Sequence, residues 1–172
     1  MNRLNHFFVC LRRIGHSRGF GIQSPTDYAF VRYVVNEHWP YYAYEQMKGG
    51  DWLQLKLGKL YMRLANWRQP STMLKDRYQH YWQAGCRKIR FTNTLDRVEL
   101  ARIDIYDADG LERLLQHSDE QSVVIIEDIC NDMQRWHAIE HDARVGTTFD
   151  LYYCGIAFFD KKRTPHHYII HF

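Results

Sequence analysis

The chain has 172 residues, 45% hydrophobic and 25% charged, which suits one folded domain and excludes a disordered tail, a collagen-like fibre or a disulfide mini-scaffold. Aromatic residues reach 15%, enough for a dense and rigid core. The net charge of +3 hides a polarity: residues 1–98 hold 16 Lys and Arg against 6 Asp and Glu, whereas residues 99–150 hold 4 against 13. The basic residues are scattered among aromatics, so two halves that pack and offset each other's fields are expected, and a nucleic-acid partner is not.

In chain order, Leu4–Arg13 reads as a cationic amphipathic helix docked on the body. Its apolar core is short and no small-residue cleavage site follows, unlike a signal peptide. Gly19-Phe20-Gly21, which does not follow a strand, reads as a turn. Ser24-Pro25-Thr26-Asp27 opens a helix: Ser24 can accept the orphan N–H groups of the first turn, and Pro25 sits where its missing N–H costs nothing. That helix should end before Pro40. Leu53, Leu57, Leu60, Leu64 and Trp67 then form one apolar helical stripe, with Gly49-Gly50-Asp51 before it and Pro70 as its stop. Lys56, Lys59 and Arg63 share a neighbouring face, either a solvated flank or a grip on an anion.

From residue 71 short apolar runs alternate with helical patterns. Lys75–Ala84 reads as a helix, Lys88–Phe91 and Arg102–Tyr106 as strands, and Asp109–His117 as a helix facing inward through Leu111, Leu114 and Leu115. Ser122–Asp128 is the strongest strand; a continuous apolar run implies burial on both faces. Asn131 should cap the next helix, which continues through Met133, Trp136, Ile139 and Ala143. Thr147–Tyr152, Ile156–Phe159 and His166–Phe172 read as closing strands whose short connections imply antiparallel neighbours. This rhythm argues for an α/β fold with a mostly parallel sheet. Residues 1–70 should form a helical extension packed on a core of residues 71–172, one compact domain.

No stretch approaches the ~18 apolar residues of a membrane span, so no membrane partner is expected. Cys10, Cys86, Cys130 and Cys154 stand at least 24 positions apart without a CxxC pair. Neither a zinc site nor a disulfide framework is suggested, and a reducing cytoplasm is the expected compartment.

Val124–Phe159, with its buried strand ending in an acidic pair, a helix carrying Met and Trp, and a strand pair with a Gly, resembles the C-terminal half of a bacterial group of class I S-adenosylmethionine (SAM)-dependent methyltransferase homologues. Arg18–Pro25 and Pro40–Glu45 are similar to the helical extension that precedes such domains. The resemblance implies a Rossmann-like, three-layer sandwich of methyltransferase type, whose sheet ends in antiparallel strands. It also implies a glycine-rich loop after the first strand, where only glycine lets the main chain approach the cofactor, and a carboxylate after the second strand for the ribose. The matching stretch here is Pro70–Tyr78, without one glycine, and the second strand ends at Phe91-Thr92-Asn93, without an acid. Asn93 is the candidate cofactor contact and can offer one hydrogen bond. The chain is therefore expected to be a shortened, degenerate homologue with no cofactor, acting as a binding or scaffolding module for a protein or small molecule.

The alternative is an active methyltransferase that binds SAM or another small molecule unconventionally. Glu127 and Asp128 are its candidate catalytic residues, because they end the strongest strand, where open α/β sheets place ligands. Related methyltransferases of the catechol type hold magnesium with acids near this place, and Asn131 or Asp132 could add oxygens; the competing reading has one carboxylate capping the next helix and the other facing solvent. His137-Ala138-Ile139-Glu140-His141 matches H-x-x-E-H, but too little chain follows for such a protease, and a charged helix flank is expected. His166, His167 and His171 read as an edge-strand device. No metal site is assigned. A third reading is an anion or nucleic-acid binder using Lys56, Lys59, Arg63, Arg87, Lys88 and Arg90.

Overall fold

The computed structural model describes residues 8–9, 11–47, 50–94, 96–161 and 164–172. Leu4–Phe7 and Cys10 of the expected N-terminal helix, and Gly49 ahead of the leucine stripe, lie outside them. A 3-10 turn, Ile14–Gly19, leads to α1, Pro25–Phe30. Ser24 is its N-cap, and its hydroxyl accepts the Asp27 N–H as the sequence implies. The helix runs on into a π-helical turn, Val31–Val35, and stops there. After the short α2, Ala43–Gln46, comes α3, Trp52–Arg68. Asp51 caps α3 by accepting the Gln54 N–H, and Gln69 ends it in the left-handed region just before Pro70. Leu57, Leu60 and Leu64 are buried as the stripe requires, but so are Tyr61, Met62 and Ala65. The helix is thus enclosed on more than one side, while Trp67 stays partly exposed.

The remainder alternates strands and helices: β1 (Thr72–Leu74), α4 (Gln79–Gly85), β2 (Arg90–Thr92), β3 (Val98–Asp104), α5 (Ala108–Gln116), β4 (Ser118–Glu127), α6 (Met133–Glu140), β5 (Thr148–Asp150), β6 (Cys154–Phe158) and β7 (His167–Ile169). The architecture is α/β, with a mixed open sheet and helices. β1 and β2 form a parallel pair; β3, β4, β6, β5 and β7 form a second sheet in that order. β4 lies beside β3 in parallel and beside β6 in antiparallel register, and its run from Ser122 to Glu127 is buried throughout.

Several expectations are corrected. β1 occupies residues read as a loop. Three residues are too few for an alternating pattern to show. The helix expected from Lys75 begins at Gln79, because Asp76 accepts the Tyr78 N–H and turns the chain first. Asp132, not Asn131, caps α6, by accepting the Arg135 N–H. The helix ends at Glu140 rather than reaching Ala143, because the chain turns where the Asp142 carbonyl accepts the Val145 N–H. Among the described strands only β6 runs antiparallel: β7 pairs in parallel with β5, on its far edge from β6.

Two cores sandwich the sheet. α1, α3 and α4 bury Phe30, Tyr61, Tyr78 and Trp82 against Leu100, Ile125 and Phe149 on one face. On the other, Leu111, Leu114 and Trp136 of α5 and α6 pack on Ile103, Ile126 and Ala157. The N-terminal segment is fastened by Arg13, whose guanidinium makes a two-pronged bond to Asp150 at 2.9 and 2.8 Å. Asp150 also accepts the Tyr152 N–H, so one carboxylate holds both the β5–β6 turn and the N-terminal segment. Arg13→Met is expected to lower stability by about 2 kcal/mol in denaturant unfolding, since it leaves a buried carboxylate without its cation.

Candidate functional site

The sheet is interrupted between β1 and β3. The two strands are neighbours, yet they belong to separate ladders. Ser71, just before β1, donates its N–H and hydroxyl to the Glu99 side chain on β3 and so fixes the relative height of the strands. β1 pairs with β2 on one side and neighbours β3 on the other. This is a topological switch point, where open α/β sheets hold ligands beyond the carboxyl ends of the strands. A crevice of about 560 Å³ opens there between the strand ends and α5, within the range of small-molecule sites. Leu74, Val98, Ile103 and Leu114 give it an apolar floor, and Lys75, Asn93, Thr94 and Arg102 line its polar side. A larger open groove of about 680 Å³ lies beside Phe30 and Trp67, where β4 begins.

Three carboxylates around the crevice already serve local structure. Asp76 accepts the Trp82 indole N–H at 3.0 Å as well as the Tyr78 N–H at 2.8 Å. Burial raises the Asp76 carboxyl above its ordinary value against the pull of these bonds. Asp104 accepts the Tyr106 N–H, and Asp107 caps α5 through the Gly110 N–H. Asn93, the sequence candidate for the ribose contact, stands exposed on the rim.

The loop after β1 is filled by its own side chains. Tyr78 is 2% exposed and packs edge-on against Tyr61 at 4.8 Å. Arg77 reaches Glu127 at 2.7 Å. Glu127, 1% exposed, also accepts bonds from Arg102 and from the Tyr61 hydroxyl. Burial alone would raise this carboxyl; the bonds from Arg102 and Tyr61, with the charge of Arg77, overcome it and hold the group below its ordinary value. Glu127 is therefore committed to cations, with little left for a metal or substrate.

Asp128 is half-buried and adopts a left-handed backbone, φ 61°, which aspartate tolerates. Burial first, then Asp104 and Glu127, raises its carboxyl. Asp132 is taken by the α6 cap, and no group of three metal-ligating side chains occurs among the described residues.

The H-x-x-E-H residues make local contacts: His137 Nδ1 lies 2.7 Å from Glu140, and His141 Nδ1 lies 2.7 Å from the His137 carbonyl. His167 contacts the Thr148 hydroxyl at 2.9 Å. Arg87, Lys88 and Arg90 are exposed and do not join Lys56, Lys59 and Arg63, which line a separate pocket.

The network of Arg77, Arg102 and Tyr61 around Glu127 escaped the sequence reading. Its signal was a glutamate closing the apolar run Val123–Ile126, because a buried charge requires a nearby partner. No protein-family model, curated protein or solved structure matches the chain.

Proposed function

We propose that this chain is a Rossmann-like, methyltransferase-type protein that has given up SAM-dependent methyl transfer and binds a small molecule in the crevice between β1 and β3. Support comes from the open, largely parallel sheet in which antiparallel β6 is inserted between β4 and β5. It comes above all from one juxtaposition: the crevice is open at the switch point, while the loop beside it is occupied by Arg77 and Tyr78. A class I cofactor would lay its amino-acid end against a bare glycine loop. Here that path meets a buried tyrosine and the Arg77–Glu127 ion pair, and Asn93 cannot replace a ribose-binding carboxylate. The residues present do not fit SAM. The part of the crevice lined by Leu74, Ile103 and Asn93 still suits a compact, partly polar ring system.

Titration calorimetry with SAM, its demethylated product and adenosine tests this reading. Micromolar binding needs about 8 kcal/mol, several of which come from main-chain and ribose contacts that this site lacks. The expected result is that neither SAM nor its product binds tighter than about 10 μM, and that the product binds no better than adenosine. An amino-acid end that improves affinity tenfold or more, about 1.4 kcal/mol, overturns the proposal.

A further inference from the structure

A separate pocket, about 300 Å³, lies between the end of the π-turn and α3, away from the β1–β3 crevice. Its wall is built by Arg63, which is buried inside the fold instead of solvated on a helix flank. The guanidinium donates Nε to the Val34 carbonyl at 2.7 Å, Nη2 to the Val35 carbonyl at 2.9 Å and Nη1 to the Tyr44 hydroxyl at 2.9 Å. These bonds fix the end of a π-turn, a conformation that recurs at functional sites. The residue they hold in place is Asn36.

Asn36 is 9% exposed, and its side-chain amide nitrogen is buried without a hydrogen-bond partner. Native structures rarely leave such a donor unmade. Two ammonium groups border the same pocket. Lys59 rests over the Tyr44 ring at 4.8 Å, and Lys56 over the Phe172 ring at 4.5 Å. The one acidic side chain among the described lining residues, Glu37, turns its carboxylate onto the N–H groups of His38 and Trp39 at 2.8 and 2.9 Å. Trp39, 71% exposed, presents its indole at the mouth.

We infer that this pocket binds a small phosphate monoester, with Lys56, Lys59 and the Asn36 amide as its donors and Trp39 as a face for the group the phosphate carries. Lysine ammonium groups bind phosphate as point charges, and a buried amide adds a directed donor. The site is independent of the β1–β3 crevice, and either can fail without the other.

Titration of the whole chain at low salt with phenyl phosphate, inorganic phosphate and phenol tests the inference. Both phosphates should bind and phenol should not, with phenyl phosphate the tighter because its ring meets Trp39. Lys56→Gln/Lys59→Gln should weaken phenyl phosphate at least tenfold. Asn36→Leu should weaken it severalfold without lowering Tm, because it removes a donor that has no partner in the fold; a purely structural asparagine would lose stability. Lys75→Gln, in the other crevice, should change nothing. Three results overturn the inference: no saturable binding up to about 10 mM phenyl phosphate, affinity unchanged in the double lysine variant, or phenol binding as well as phenyl phosphate.

Discussion

Glu127→Ala is expected to destabilise the protein by about 4 kcal/mol, the cost of leaving a buried guanidinium without its counter-charge. Arg102 has only 11% of its side chain exposed, and its Nε already lacks a partner, so water cannot readily replace the carboxylate. The Tyr61 hydroxyl loses its acceptor in the same step. Urea unfolding of Glu127→Ala beside Arg77→Ala checks this. Arg77 is mostly exposed, and its removal should cost under ~1 kcal/mol. Equal losses from the two would show that the cluster is not organised around a buried pair.

The same cluster sets a pH signature. Burial acts to raise the Glu127 carboxyl, but its cations and Tyr61 keep it below the ordinary value. A carboxyl lowered by folding stabilises the native state fully above its unfolded pKa, about 4.3 for glutamate, and that stability is lost as pH falls through the folded value. Glu127→Gln should therefore flatten the fall in stability below about pH 4.3 while leaving the limb above pH 6 parallel to the wild type.

Gly85→Ala is expected to cost about 3 kcal/mol, although glycine-to-alanine changes often stabilise helices. A Cβ at Gly85 would lie 2.0 Å from the Met62 carbonyl oxygen and 3.0 Å from the Ala65 side chain. The obstacle is main chain of α3, which cannot rotate aside, so α4 would have to lift off the helix beneath it. That movement reaches the crevice, because Trp82 of α4 donates its indole N–H to Asp76 in the loop after β1. Thermal unfolding measures the loss. A drop of less than ~1 kcal/mol would show that the two helices yield independently. Gly21→Ala is a poor control for space, since its φ of 85° strains any side chain; Gly15→Ala, with nothing within 4 Å, is the proper one.

The legible parts of the fold were those with long or chemically marked patterns. The Ser24 and Asp51 caps, the leucine stripe of α3 and the continuous run of β4 all name their elements locally, and each formed as its residues imply. β1 and β7 were harder for a physical reason. Each has three residues, and their pairing depends on where a distant strand has already been laid down. The β1–β3 crevice follows from that pairing, so its position was implied only by Asn93 and by the glycine-free loop. Arg102 reads in sequence as one charged residue within a short strand; only the fold turns it towards Glu127 and Asp76. Lys56, Lys59 and Arg63 were visible as one helical face, but their unequal fates depend on the π-turn, which local spacing does not announce.

The occupied loop between β1 and α4 carries the functional account, and a crystal structure grown with the demethylated cofactor product at millimolar concentration tests it most directly. The account predicts that the Arg77–Glu127 pair stays closed and that density is confined to the crevice beside Leu74 and Asn93. Density for the amino-acid end lying against the main chain of residues 75–78, with Arg77 displaced from Glu127, would contradict it.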